Sequence, residues 1–163
     1  MQSLNLEVEI VLTFRGSHVF PASPALVWWH IFEPASLAKL IPGCQQLTQV
    51  SPDEYHGIIR VGIAAVSGTY RTQVKIKEQR YPEYCSFDGV VDGPTGAIKG
   101  SVTFTLREAD GRCTELSYEA QAMISGALAT LSGRLIESVA RSLINQSFTR
   151  FEQELQATSQ PSR

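Results

Sequence analysis

The sequence predicts an α+β fold in which a curved antiparallel sheet of about seven strands wraps around one long C-terminal helix, with two short helices after the first strand. Three observations predict it. Strict period-two alternation opens the chain, turn-punctuated alternating runs fill residues 44–124, and a stretch of helical periodicity, Ala127 to Thr158, closes it. Hairpins imply an antiparallel sheet with one wet face and one buried face, and the long helix is the element available to cover the buried one.

The first run places Leu4, Leu6, Val8, Ile10, Leu12 and Phe14 on one face, opposite Asn5, Glu7, Glu9, Thr13 and Arg15, with a break expected near Gly16. Ser23-Pro24 is a helix start, an N-cap followed by a proline whose missing N–H costs nothing in the first turn. Val27, Trp28, Ile31 and Phe32 give that helix its apolar face. Glu33-Pro34 separates it from a second short helix, Ala35 to Ile41, which stops before Pro42-Gly43. Ser51-Pro52-Asp53, Ser67-Gly68, Tyr81-Pro82-Glu83, Asp92 to Gly96 and Asp110-Gly111 then divide the strands. On the fourth, Tyr70, Val74 and Ile76 share a face opposite Arg71, Gln73, Lys75 and Lys77.

The closing stretch carries two apolar stripes. One is Ala129, Gly133, Ile136, Ala140, Ile144, Phe148, Phe151 and Leu155; the other is Leu128, Leu131, Leu135, Val139 and Leu143. Its front half is therefore expected to be covered on two sides. The first stripe runs from small residues to large ones, which predicts room for a ligand under Ala129, Gly133 and Ala140; close packing against Gly133 is the alternative.

Composition bounds the function. The 163 residues are 43% apolar and 18% charged, as expected of a single domain over residues 1–158, with residues 1–13 a strand extension and 159–163 a polar tail. A net charge of -2 argues against a nucleic-acid partner. Cys44, Cys85 and Cys113 are odd in number and lack ligand spacing, so reduced thiols are expected rather than disulfides or a zinc site. Neither a membrane span nor a signal peptide is evident, and a cytoplasmic protein is expected.

Beyond the pattern lies a resemblance. Ser23-Pro24 with Val27-Trp28, Glu33-Pro34 with Leu37-Ala38, and Ile41-Pro42-Gly43-Cys44 resemble the opening of the carbon monoxide dehydrogenase G-subunit family. Val61-Gly62, Gly68-Thr69-Tyr70, Gly96 to Gly100, Thr114 to Tyr118, Gly126 to Ala129 and Gly133 to Ile136 follow the same pattern in order, over about Gly16 to Leu155. The resemblance implies a START-like, helix-grip fold with an apolar cavity and no catalytic set. It implies an accessory to molybdenum-containing hydroxylases of the carbon monoxide dehydrogenase type, linked to the membrane or its quinone. Family members often continue into a membrane-seeking tail, whereas Gln156 to Arg163 is polar, so membrane association is expected to be weak or indirect, at the inner face through a partner. The longer N-terminal strand leaves an extra edge strand or a homodimer contact open.

The candidate chemistry is sparse. His18, His30 and His56 share no ligand spacing, and no metal or cofactor is expected. Asp88 and Asp92 flank a turn more readily than they form an acid–base pair, and Cys44 has no base beside it. Trp28, Phe32, Tyr70, Phe104 and Tyr118 lie on inward faces and, with Ala129, Gly133 and Ile136, are the candidate ligand-binding residues. Plain core is the alternative for the aromatic ones. A Tyr70 or Tyr118 hydroxyl would orient a ligand oxygen. The expected function is binding of an apolar, quinone- or isoprenoid-like molecule. A cyclase or dehydratase using Tyr118 or Asp88, or a pure adaptor, are the competing classes, which fold alone does not separate.

Overall fold

The computed structural model describes residues 9–159. β1 (Ile10–Phe20) leads through α1 (Pro24–Phe32) and α2 (Pro34–Leu40) into β2 (Cys44–Ser51), β3 (Glu54–Val61), β4 (Gly68–Arg80), β5 (Tyr84–Gly93), β6 (Gly96–Ala109) and β7 (Cys113–Ser125), and α3 (Gly133–Ser159) closes the chain. The seven strands form one sheet in the order β1-β7-β6-β5-β4-β3-β2, and every neighbouring pair is antiparallel. β2 to β7 are a meander. β1 pairs instead with β7, and α1 and α2 carry the chain to the far edge. Register shifts within β2 and between Ile76 and Glu78 mark bulges, which bend strands and help the sheet curl.

The start of the chain follows its local chemistry. The Ser23 hydroxyl accepts from the Leu26 N–H at 3.3 Å with Pro24 in the first turn. Buried His30 meets the Ser36 hydroxyl at 2.5 Å and ties α1 to α2. The part of the predicted first strand before Glu9 lies outside the described residues. The expected break at Gly16 does not occur: β1 pairs with β7 without a shift from Ile10 to Phe20. Gly16 stands opposite Tyr118, and a Cβ there would lie 2.5 Å from the Tyr118 hydroxyl. The glycine gives room to a ring rather than ending a strand.

α3 begins later than its periodicity suggests. Gly126, at φ 77°, turns the chain into a short 3-10 segment, Gly126–Thr130, and Ser132 then caps the helix by accepting from the Leu135 N–H at 3.1 Å. Ala129 is therefore not on α3, and Gly133 is in its first turn. Two-sided cover of the front half does not follow either, for Leu135 is 37% exposed. The buried residues fall into two clusters. One gathers Phe20, Val27, Trp28, Phe104, Phe151 and Leu155, and the other gathers Tyr70, Ile124, Leu128, Ala129 and Ile136.

Candidate binding site

Alternation on a curled sheet points one residue in two at the helices. Where these side chains are branched aliphatics rather than aromatic rings, space remains. Two apolar cavities lie on this inner face. The first, about 210 Å³, is lined by Ile59, Val61, Tyr70, Val91, Ile98 and Ile124 of the sheet, by Val66 and Leu128, and by Ile136, Val139, Ala140 and Leu143 of α3. The second, about 250 Å³, lies under α1 and α2, between Ile31, Phe32, Leu37 and Ile41 on one side and Tyr55, Gly57, Thr72, Val74, Ile76, Phe87 and Phe104 on the other. Cys44 and Leu47 of β2 complete its wall. Ile59 lines both. Each alone falls short of the roughly 300–1,000 Å³ of drug-sized pockets, and the pair together reaches into that range.

Nearly every polar group on these walls is already engaged. The Tyr55 hydroxyl donates to the Phe32 carbonyl at 2.8 Å, and the Tyr70 hydroxyl donates to the Val66 carbonyl at 2.6 Å with Thr95 Oγ1 at 3.1 Å. Burial pushes the Cys44 thiol above its ordinary value, and the thiol donates to the Gln46 carbonyl, so it is not a thiolate at neutral pH. Fully buried Cys85 is pushed up to about 11 for the same reason. The exception is Thr72, whose buried Oγ1 has no hydrogen-bond partner.

The candidate residues divide. Phe32 and Phe104 line the second cavity, and Tyr70 and Ile136 line the first. Trp28 stands behind the second, its ring centroid 4.6 Å from Phe32 and 6.1 Å from Phe104. Tyr118 lines neither; its ring packs 6.0 Å from Phe148. Ala129 is buried beside Leu128 and Tyr70 in the second cluster, without reaching the cavity wall. A Cβ on Gly133 would meet nothing within 4 Å, so neither a ligand space nor a close contact explains that glycine.

Sequence reasoning missed Ile59, Leu143 and Thr72. The signal for Thr72 was present, since alternation places it on the face of Tyr70 and Val74 and a polar residue there breaks an apolar row. Asp88, by contrast, belongs to the outer face: Ser101 donates to it at 2.8 Å and Lys77 lies 3.4 Å away, and the serine bond first, then the lysine, hold its carboxyl below the usual range. The three histidines are apart, His18 beside Glu152 and His56 beside Glu54. Among the described residues no group of three or more His, Cys, Asp or Glu side chains is placed to hold a metal ion. No helix among them is long and apolar enough to cross a membrane.

A curved seven-stranded antiparallel sheet around a C-terminal helix, with apolar space between them, is the START-like, helix-grip class. The family model of the carbon monoxide dehydrogenase G subunit (CoxG) matches residues 16–156, and the chain belongs to that family. Solved structures agree on the fold. A conserved protein of Geobacillus kaustophilus superposes with a TM-score of 0.87 at 26% identity, covering 90% of this chain and 97% of its own. A START superfamily protein of Mycobacterium smegmatis gives 0.69 at 10% identity, covering 90% and 99%. A protein of Rhizobium leguminosarum gives 0.74 at 9% identity, covering 94% and 99%. No curated protein matches the sequence. Family and fold together support an accessory role built on binding an apolar ligand.

Proposed function

We propose that this chain binds one apolar small molecule, quinone- or isoprenoid-like, between its helices and the inner face of the sheet. In this reading it serves a molybdenum-containing hydroxylase of the carbon monoxide dehydrogenase type, as the family name suggests. The observation that carries the reading is the pair of adjoining apolar cavities that share Ile59. Their walls offer dispersion contact and area removed from water, worth roughly 25 cal/mol per Å² before the costs of association. Phe32, Tyr70, Phe104 and Ile136 are the binding residues among those legible in the sequence; Trp28 supports Phe32 and Phe104 from behind. The chain works in the cytoplasm and meets the membrane through its partner. A cyclase or dehydratase has less support, because Asp88 and Tyr118 lie outside both cavities.

Native mass spectrometry tests this directly. Purified protein is incubated with a bacterial lipid extract, exchanged into volatile buffer and measured intact. One retained apolar molecule per chain is expected, lost in an Ala140→Phe variant whose new ring fills the space beside Ile136 and Val139. A protein that retains nothing, or retains the same molecule after Ala140→Phe, overturns the reading.

A further inference from the structure

We propose that the two cavities divide the ligand between them, with a planar unsaturated ring held under α1 and α2 and an aliphatic chain laid along α3. This rests on the binding reading above and sharpens it, since it favours a ring-bearing molecule over an open-chain isoprenoid. The two walls differ in chemistry. Phe32, Tyr55, Phe87 and Phe104 stand around the cavity under α1 and α2. Among the described residues, the cavity beside α3 has one ring on its wall, Tyr70, and the rest is Ala140 and branched aliphatic side chains. Rings attract rings beyond the area they bury, whether offset-stacked or edge to face. A flexible chain gains equally from any close apolar wall.

The ring-walled cavity is held in shape by its own contacts. The Tyr55 hydroxyl donates to the Phe32 carbonyl at 2.8 Å and so ties β3 to the end of α1. The Phe32 ring lies 6.3 Å from Phe104, and Trp28 backs the pair from 4.6 and 6.1 Å. A slot whose walls are already fixed loses little entropy in accepting a flat, rigid guest. Tyr70 is occupied otherwise: its hydroxyl is bonded to the Val66 carbonyl and Thr95, and its ring lies against Gly93. A chain leaving the ring passes Ile59, which lines both cavities, to reach Ile98 and Val139.

Two hydrocarbons of one skeleton test this division, 2-octylnaphthalene and 2-octyldecalin, which differ in the aromaticity and flatness of the ring. The full chain is equilibrated with an excess of the equimolar mixture, freed of unbound ligand and extracted, and gas chromatography of the extract reads the affinity ratio. The naphthalene form should be retained in preference. Phe87→Leu, which keeps bulk but removes a ring, should lower the ratio about 2- to 10-fold, the size of one aromatic pair. Ile98→Leu, in the other cavity, should leave the ratio unchanged. A 2-octylnaphthalene with a diazirine at the chain end, photolysed in the complex, should label the cavity beside α3, at Val91, Ile98 or Val139. If ligand is retained but Phe87→Leu leaves the ratio as it was, Ile98→Leu lowers it as much, or the diazirine labels α1 or α2, the division is wrong while the binding reading stands. If the parent chain retains neither hydrocarbon, the binding reading and this proposal fall together. Should Phe87→Leu not fold, Phe32→Leu makes the same comparison.

Discussion

The two halves of α3 cover the same sheet and fill the space beneath them differently. The C-terminal half sets Phe148, Phe151 and Leu155 against β1 and α1; the Phe20 ring lies 4.5 Å from Phe151 and 5.5 Å from Phe148, and Leu155 is fully buried. The N-terminal half sets Ile136, Val139, Ala140 and Leu143 over a cavity of about 210 Å³. Rings reach across the gap and interlock at the density of a protein interior. Short branched side chains stop at their own wall. One helix thus divides its labour, with stability concentrated at one end and space kept at the other.

The sharpest way to break this comparison is to remove a ring. Phe151→Ala should cost about 3–5 kcal/mol, because a buried aromatic leaves a hole its neighbours cannot close. Leu143→Ala, on the cavity side, should cost less than about 2 kcal/mol, since part of its surface already faces empty space or solvent. Urea denaturation of both variants measures the gap. Equal costs would mean that the two halves are packed alike.

A second variant probes how the cavity end is held open. The Tyr70 hydroxyl is bonded to the Val66 carbonyl and to Thr95, and the ring lies against Gly93, where an added Cβ would come within 2.6 Å of it. Gly93→Ala must therefore push the ring from its position and should cost about 1–3 kcal/mol, as overpacking does. The same variant should weaken apolar-probe binding, since Tyr70 is a wall of the first cavity. A stable variant with unchanged binding would show that the ring is not pinned.

The sheet, its meander and the two short helices were legible because each rests on local rules: alternation, turn residues, and proline after an N-cap serine. The long helix was legible as an element but not in its start. Leu128, Ala129 and Leu131 fit the helical period by coincidence, while Gly126 and Ser132 carried the true boundary as a positive-φ turn and a cap. That one error moved the expected pocket. Ala129 was aligned on a helix it does not belong to, Gly133 stands at that helix's first turn with open space beside it, and the cavity wall combines residues from both stripes, Ile136 and Ala140 from one and Val139 and Leu143 from the other. The second cavity depends on how α1 and α2 lie across β2 to β6, a long-range packing that no local pattern reports.

His30 sharpens the contrast from the packed end. It is 1% exposed, and desolvation holds its pKa below the ordinary value, against a smaller upward pull from Glu154 and with a smaller downward push from Lys39. Above about pH 6.5 the ring is neutral in both folded and unfolded chains and adds no pH dependence. As the pH falls through that value the unfolded chain takes the proton first, so stability declines, by at most about 1.4 kcal/mol per pH unit from this group. Denaturation midpoints from pH 7.5 to 5 should fall more steeply for the parent than for His30→Gln. Parallel curves would mean that the site tolerates the charge.

The smallest expected effect tests the corrected start of α3. Had Gly133 faced the sheet within the helix, Gly133→Leu would either have filled a ligand space or overpacked the core. In the first turn, with nothing within 4 Å of an added Cβ, a leucine meets neither. The backbone favours the change slightly, since glycine is a poor helix former, but the gain shrinks at a terminus and the new side chain exposes apolar surface. Stability should therefore change by no more than about 0.5 kcal/mol in either direction, with apolar-probe affinity unaltered. Ala140→Phe, two turns further on and on the cavity wall, should by contrast abolish binding. A chemical melt and a probe titration on the pair decide the point. If Gly133→Leu blocks binding while Ala140→Phe spares it, the cavity lies nearer the helix start than Ile136, Val139 and Leu143 place it.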